Sequence, residues 1–322
     1  MTAGGPADRP VLLVLRALGL GDLLTAVPAL RALRGELPGH RLILALPEAL
    51  APLALLTGAV DEVLPAAGLA PLPPLDGPVD IAVNLHGSGP QSHRVLSALR
   101  PRELMAFAHP EFPEIEGPRW NPAEHEVTRW CRLLAGYGFR PDPGDLGLPV
   151  PEVASPAPGA VVIHPGAAYP ARRWPADRYA AVAAAVRAAG HQVVVTGGPA
   201  ETGLARRVVT LAGLPPEADL SARTSPLELA ALVAAARLVV CGDTGVGHVA
   251  TAYRTPSVVL FGPTSPALWG PPEDRADHTV LTGRPGREGR DGDPHGMTPD
   301  PGLLAIDADR VVAAALTTGR IE

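Results

Sequence analysis

Apolar residues occur in short unbroken runs that alternate with stretches of helical spacing along most of the chain. Residues 11–15, VLLVL, are aliphatic throughout, which predicts a strand buried on both faces. A glycine turn at 17–22 follows, and then Leu23, Val27, Leu30, Leu33 and Leu37 mark one helix over 23–37. Strands are predicted at 41–46, 79–83 and 103–107, with helices at 48–56 and 123–136. Residues 141–159 are rich in Pro and Gly and have no period, which places a linker there. The alternation then restarts. Strands are predicted at 160–164, 192–196, 237–241 and 257–261, and helices at 175–189, 200–212, 227–236 and from about 245. Residues 282–301 read as a mobile loop and 307–317 as a closing helix.

Strand and helix in alternation imply parallel sheets covered by helices on both faces. The expected class is therefore α/β, with two Rossmann-like doubly wound domains facing a central cleft, at 1–150 and 151–305. In such sheets ligands bind beyond the carboxyl ends of the strands, where the polar turns of this chain fall.

Composition narrows the picture. The chain has 322 residues, 46% hydrophobic but only 4% aromatic, so aliphatic packing must build its cores. The net charge of −6 argues against a nucleic-acid binder. All 27 basic residues are Arg, a coding bias that lowers the weight of any Arg cluster. Cys131 and Cys241 have neither metal-type spacing nor a disulfide framework, and are expected as buried thiols in a reducing cytoplasm. The apolar run at 11–24 is broken by Arg16 and Asp22 and lacks a basic leader, so it is not read as a signal peptide. No apolar run reaches the roughly 18–20 residues of a membrane span. The expected location is cytoplasmic, with at most a peripheral contact at the inner face of the membrane.

Four stretches carry candidate chemistry. The most informative is CGDTGVGHVATAYRTPSVVLFGPTSP, residues 241–266. Strand, glycine turn and helix start in that order present backbone N–H groups to a phosphate. Asp243 there is either a helix cap or a ligand. His248 follows Thr244 by four residues and so shares its helix face. In Gly19-Leu20-Gly21-Asp22, Asp22 is either an N-cap or a carboxylate able to take a proton. In HPGAAYPARRWP, residues 164–175, the small residues Gly166 and Ala167 allow close backbone approach. An Arg of the same stretch can clamp a diphosphate, and Trp174 is expected to pack rather than stack on a ligand. In TGGPAE, residues 196–201, Gly197 forms a turn, and Glu201 either complements a helix dipole or meets ribose hydroxyls. There is no dinucleotide fingerprint, Walker loop or nucleophile elbow. Asp291-Gly292-Asp293 reads as a solvated turn rather than a metal site.

Taken together, GLGDLLTAVPALRALR, NLHGSGPQSHRVL, the 125–138 segment, HPGAAYPARRWPADRYAAVA, VVVTGGPAE and the 241–266 stretch resemble glycosyltransferase family 9, the ADP-heptose heptosyltransferases of lipopolysaccharide core synthesis. The resemblance implies a GT-B fold with the acceptor at the first domain and the nucleotide sugar at the second. It implies a last helix, 306–322, that crosses back to the first domain. The implied reaction is an inverting, metal-independent transfer of a heptose-type sugar from ADP-heptose to a glycan, glycolipid or small-molecule hydroxyl, with no cofactor. Asp22 becomes the general base, and Arg172 stands where the family usually has a Lys steadying the diphosphate. Thr244 and Gly245 offer N–H groups to the phosphates. Asp243 holds sugar hydroxyls, His248 lines that pocket, Glu201 meets the ribose, and Gly166, Ala167 and Gly197 also bind the donor. Gly21, Asn84 and His86 fall on the acceptor side. Two other classes stay open: a GT-B-type nucleotide-sugar epimerase or hydrolase, and a non-catalytic sugar-nucleotide-binding protein.

Overall fold

The computed structural model describes residues 9–283 and 292–321. Its contacts divide the chain into two compact units, Met1–Pro149 and Val150–Glu322.

The first unit is built in the order β1 Val11–Leu15, α1 Leu20–Thr25, α2 Val27–Glu36, β2 Arg41–Leu46, α3 Ala51–Leu56, β3 Glu62–Pro65, β4 Val79–Asn84, α4 Gln91–Ser97, β5 Glu103–Met105 and α5 Glu126–Gly136. The five strands are parallel and lie in the order β3-β2-β1-β4-β5. Val14 pairs with Leu44 on one side and Val83 on the other, and every residue of β1 is buried. Its unbroken aliphatic run is what a doubly covered parallel strand requires. The single helix expected over 23–37 is two helices. Pro28 has no N–H to donate back to Leu24, so the turn closes at Ala26 and a second helix starts.

The second unit runs β6 Val161–His164, α6 Ala176–Ala188, β7 Val193–Val195, α7 Thr202–Leu211, α8 Pro226–Ala234, β8 Leu238–Gly242, α9 Gly245–Tyr253, β9 Ser257–Phe261, α10 Pro266–Trp269, β10 His278–Thr282, α11 Pro301–Leu304 and α12 Ala308–Thr318. Its sheet is parallel in the order β10-β9-β8-β6-β7. Helix α8 opens with a capping box in which the Ser225 hydroxyl accepts from Glu228 N–H and Glu228 accepts from Ser225 N–H. The helix expected to cross to the first domain, α12, packs within the second unit. Val311 and Ala315 are fully buried in the core that it shares with α6 and with strands β8 to β10. Its apolar stripe covers that sheet.

In both units the strand order reverses beside the first strand. The turns after β1 and β4 flank one reversal, and those after β6 and β8 flank the other. These are the positions where ligands of open α/β sheets bind. The loop expected over 282–301 is ordered where it is described. Ala171 N–H donates to Gly296, Asp300 N–H donates to Ala171, and Asp300 caps α11. Residues 284–291, including Asp291, lie outside the described residues, and Asp293 is exposed. Both cysteines are buried and unpaired.

Candidate functional site

In the first unit the turn after β1 is organised by a buried guanidinium. Arg16 is 1% exposed. Its Nε donates to the Asp22 carbonyl at 2.9 Å and one terminal nitrogen donates to the Leu85 carbonyl, joining α1 to the turn after β4. The other terminal nitrogen reaches Glu126 Oε1 at 2.9 Å, Thr25 Oγ1 at 3.2 Å and Asp22 Oδ1 at 3.4 Å. Trp130 lies under the guanidinium, 4.6 Å from its centre, and donates its own Nε1–H to Glu126. Burial pushes the Glu126 carboxyl up. The charges of Arg16 and Arg129, with hydrogen bonds from Arg16 and Trp130, outweigh that and hold it below the usual range. Asp22 sits in the first turn of α1, about a quarter exposed, and its Oδ2 accepts from Gly19 N–H at 3.1 Å. Capping thus uses one oxygen of Asp22, and the side chain still reaches solvent.

Gly21, the second residue of α1, and His86 are half-buried beside this turn. The His86 Nδ1 has no hydrogen-bond partner. Burial and then the Arg16 charge lower the affinity of this ring for a proton, and the Asp22 charge opposes them. Asn84 is wholly buried, which corrects its expected role. Its Nδ2 donates to Ser92, Gly87 and the His93 ring, and its Oδ1 accepts from His86 N–H. Every polar atom of that amide shapes the loop, so Asn84 positions His86 and offers an acceptor nothing directly.

In the second unit, β8 ends at Gly242, and α9 starts at Gly245 with Thr244 as its extended N-cap residue. The Thr244 hydroxyl makes no capping bond, so the helix start keeps unpaired N–H groups and the positive end of its dipole. Asp243 is 6% exposed, and its Oδ2 lies 3.7 Å from an Arg172 terminal nitrogen. Arg172 ends a short 3₁₀ turn, Pro170–Arg172, with Tyr169 facing its guanidinium. A side chain at Gly242 would crowd the Arg172 carbonyl, so the glycine lets the two segments approach. Asp243, Thr244 and His248 line one recess with Phe261, Trp269 and Pro271, and the His248 ring stands edge-on to Trp269 at 6.0 Å.

Glu201 closes the other side of this unit's site. Its Oε2 accepts from Gly198 N–H at 2.8 Å and lies 3.9 Å from His164 Nε2. His164 is buried with its Nδ1 on Thr196 Oγ1 at 3.0 Å. Burial lowers the proton affinity of the His164 ring more than Glu201 raises it. A Cβ at Gly166 would stand about 2.2 Å from the Glu201 carboxylate, so Gly166 is where that side chain fits. Gly197 likewise faces Glu201 and Ser221. Ala167 is buried, and its carbonyl accepts from Arg173 Nε at 2.9 Å. Trp174 is a packing residue, 1% exposed, with its Nε1–H on the Ile306 carbonyl. Among the described residues, no group of three His, Cys, Asp or Glu side chains is placed to hold a metal ion. None of the described helices is long and apolar enough to cross a membrane.

The sequence reading missed Arg16, Glu126, Trp269 and the His164–Thr196 pair. Arg16 had a visible signal, being a charge set directly after the aliphatic run VLLVL. Glu126 had none, because its partner is 110 residues away.

Two parallel α/β units with ligand-type turns at both strand-order reversals define the GT-B architecture. Solved structures agree with that fold. An Escherichia coli ADP-heptose lipopolysaccharide heptosyltransferase II superposes with a TM-score of 0.74 at 21% identity, over 96% of this chain and 98% of that one. A family 9 glycosyltransferase from Veillonella parvula gives 0.73 at 20% identity, over 99% of each. The model of glycosyltransferase family 9 (heptosyltransferase) matches residues 119–293, and the chain belongs to that family. Among characterised relatives, lipopolysaccharide heptosyltransferase 1 of Pseudomonas aeruginosa is 35% identical over 154 residues, 46% of this chain and 42% of that protein. Lipopolysaccharide heptosyltransferase 3 of E. coli is 34% identical over 113 residues, 34% of this chain and 33% of that protein. The matches thus span between a third and a half of these relatives' length.

Proposed function

We propose that this protein is an inverting, metal-independent glycosyltransferase. It moves a heptose-type sugar from ADP-heptose to a hydroxyl of a glycan, glycolipid or small molecule, working in the cytoplasm with at most a peripheral membrane contact. The observation that carries the reading is the Arg172–Asp243 pair at the open N-terminus of α9. Cation, helix dipole and a carboxylate able to hold hydroxyls meet there, which complements the anionic oxygens and hydroxyls of a sugar diphosphate. Support for the nucleotide comes from E. coli heptosyltransferases of the same fold, solved with ADP and with ADP-2-deoxy-2-fluoro heptose.

In this reading the acceptor O–H gives its proton to Asp22 as the acceptor oxygen bonds to the anomeric carbon. The bond from that carbon to the phosphate oxygen breaks, and its electron pair leaves with ADP. Arg172 and the N–H groups of Thr244 and Gly245 stabilise the charge growing on the diphosphate. Asp243 orients sugar hydroxyls beside His248, and Glu201 accepts from the ribose. Attack and departure take opposite faces of one carbon, so the configuration inverts. The proposal requires the Asp22 and Thr244 sites to act on the same sugar.

The test is ADP release from ADP-heptose with and without candidate acceptors, before and after chelator treatment. Release that depends on acceptor and on Asp22 and survives chelation is expected. Release that needs neither acceptor nor Asp22 would mark a hydrolase and overturn the transfer. Thermal stabilisation by UDP- or GDP-sugars alone would overturn the ADP assignment.

A further inference from the structure

We propose that Arg16 and Glu126 are positioning residues that jointly set the charge and orientation of Asp22. The inference rests on Asp22 serving as the base in the transfer proposed above. Arg16 fixes α1 and the turn after β4 through carbonyls, and for that task it needs no carboxylate. Yet α5 delivers another carboxylate, the buried Glu126, to the same nitrogen that faces Asp22. Glu126 is the nearer of the two, 2.9 Å against 3.4 Å for Asp22. It also pairs with Arg129, so two buried cations share one buried anion, and Asp22 completes the balance at the exposed edge.

The division has a chemical consequence. An opposite charge close to a carboxylate favours its ionised form and makes it a weaker proton acceptor. Glu126 stands nearer Arg16 than Asp22 does, so Asp22 is oriented by a long hydrogen bond to a cation that a buried carboxylate already pairs. Several described groups of the first unit face Asp22. They are Gly19 N–H from its own turn, Arg16 from the end of β1 and His86 from the turn after β4, with Glu126 and Arg129 of α5 acting through Arg16. The half-buried His86 ring feels both Arg16 and Asp22, so it reports the local charge independently of turnover.

The experiment compares Glu126→Gln, Glu126→Asp, Arg16→Met and Asp22→Ala in the full chain. Its readouts are the pH profile of kcat, the donor KM, and the NMR titration of His86. For Glu126→Gln the acid limb is expected to move to lower pH, because Arg16 then pairs with Asp22 alone. kcat falls up to about 100-fold with donor KM unchanged, and the His86 midpoint falls. Arg16→Met is expected to move the acid limb and the His86 midpoint the opposite way. Glu126→Asp keeps the charge but draws it back, giving smaller movements in the Glu126→Gln direction. If Glu126→Gln does not fold, Glu126→Asp decides alone. Variants that lose activity while the acid limb and the His86 midpoint stay in place would reduce the pair to a structural role and overturn the proposal. Turnover retained by Asp22→Ala would instead overturn the base itself, and that outcome is distinct from an inactive Asp22→Ala beside unmoved Glu126 and Arg16 variants.

Discussion

At the first unit's strand-order reversal, a buried guanidinium bonded to two carbonyls, a hydroxyl and two carboxylates holds the turn. At the second unit's reversal, glycines do much of that work. Gly166 admits Glu201, Gly242 admits the Arg172 carbonyl, and Gly245 opens a helix that no side chain caps. On the proposed roles, the difference follows from what each site must present. A base is one side-chain atom whose position and charge have to be set by other side chains. An anion cradle is made of backbone dipoles, and its requirement is that nothing stands in front of them.

The widest separation of these two roles comes from one substitution in each unit. Asp22→Asn keeps shape and loses the base, so kcat should fall about 10²–10⁴-fold with donor KM little changed. Arg172→Ala removes a preorganised cation, so kcat should fall about 10²–10³-fold, and Arg172→Lys should recover part of that loss. Steady-state kinetics at saturating acceptor checks both. Equal effects of Asp22→Asn on kcat and donor KM would break the assignment of the base to the first unit.

A smaller effect sharpens the glycine argument. Gly166→Ala places a methyl where the Glu201 carboxylate lies, so Glu201 must swing away from Gly198 and from the ribose position. Donor KM should rise about tenfold, the loss of one hydrogen bond to a charged group, while kcat moves less. Calorimetric titration with ADP checks it. An unchanged ADP affinity would free Gly166 and Glu201 from nucleotide binding.

The same contrast explains what was legible in the sequence. The cradle is local. GDTG followed by a small-residue helix declares itself within ten residues, and the central strands do so through runs such as VLLVL. Strands β3 and β10 were not predicted, because Glu62, His278 and Thr282 interrupt their apolar residues. Asn84 was expected on the acceptor side from the resemblance of NLHGSGPQSHRVL. The fold turned it inward onto Ser92 and His93. The Arg16–Glu126 contact joins β1 to α5, and no spacing rule on one sequence reaches across such a gap.

Acid stability should separate the units again. Burial holds His86 and His93 in the first unit, and His164 and His278 in the second, below the ordinary value of 6.5. A histidine with lowered native proton affinity binds its proton more readily when unfolded. Its contribution is therefore complete above 6.5 and declines as pH falls below that value. Both units should weaken over this range. The first unit should then lose more below 4.5, where the unfolded chain protonates Glu126 before the native state does. Hydrogen exchange at stepped pH, read by unit, checks this. Loss confined to the second unit below 4.5 would break the picture of the first unit as the charge-organised half.

The smallest expected effect lies in Trp174, whose Nε1–H donates to the Ile306 carbonyl at 2.9 Å. Arg178 donates to the same carbonyl at 2.6 Å, so Trp174→Phe leaves that oxygen paired. What is lost is one donor and some of the volume packed on Tyr179, about 1–2 kcal/mol of stability. Donor and acceptor kinetics should stay within twofold, because the ring is buried in the core of the second unit. Thermal unfolding and steady-state kinetics on the one variant check both halves of this expectation. A raised donor KM at unchanged stability would show that the start of α6 takes part in nucleotide binding, and the second unit's cradle would then depend on a packed side chain as the first unit's base does.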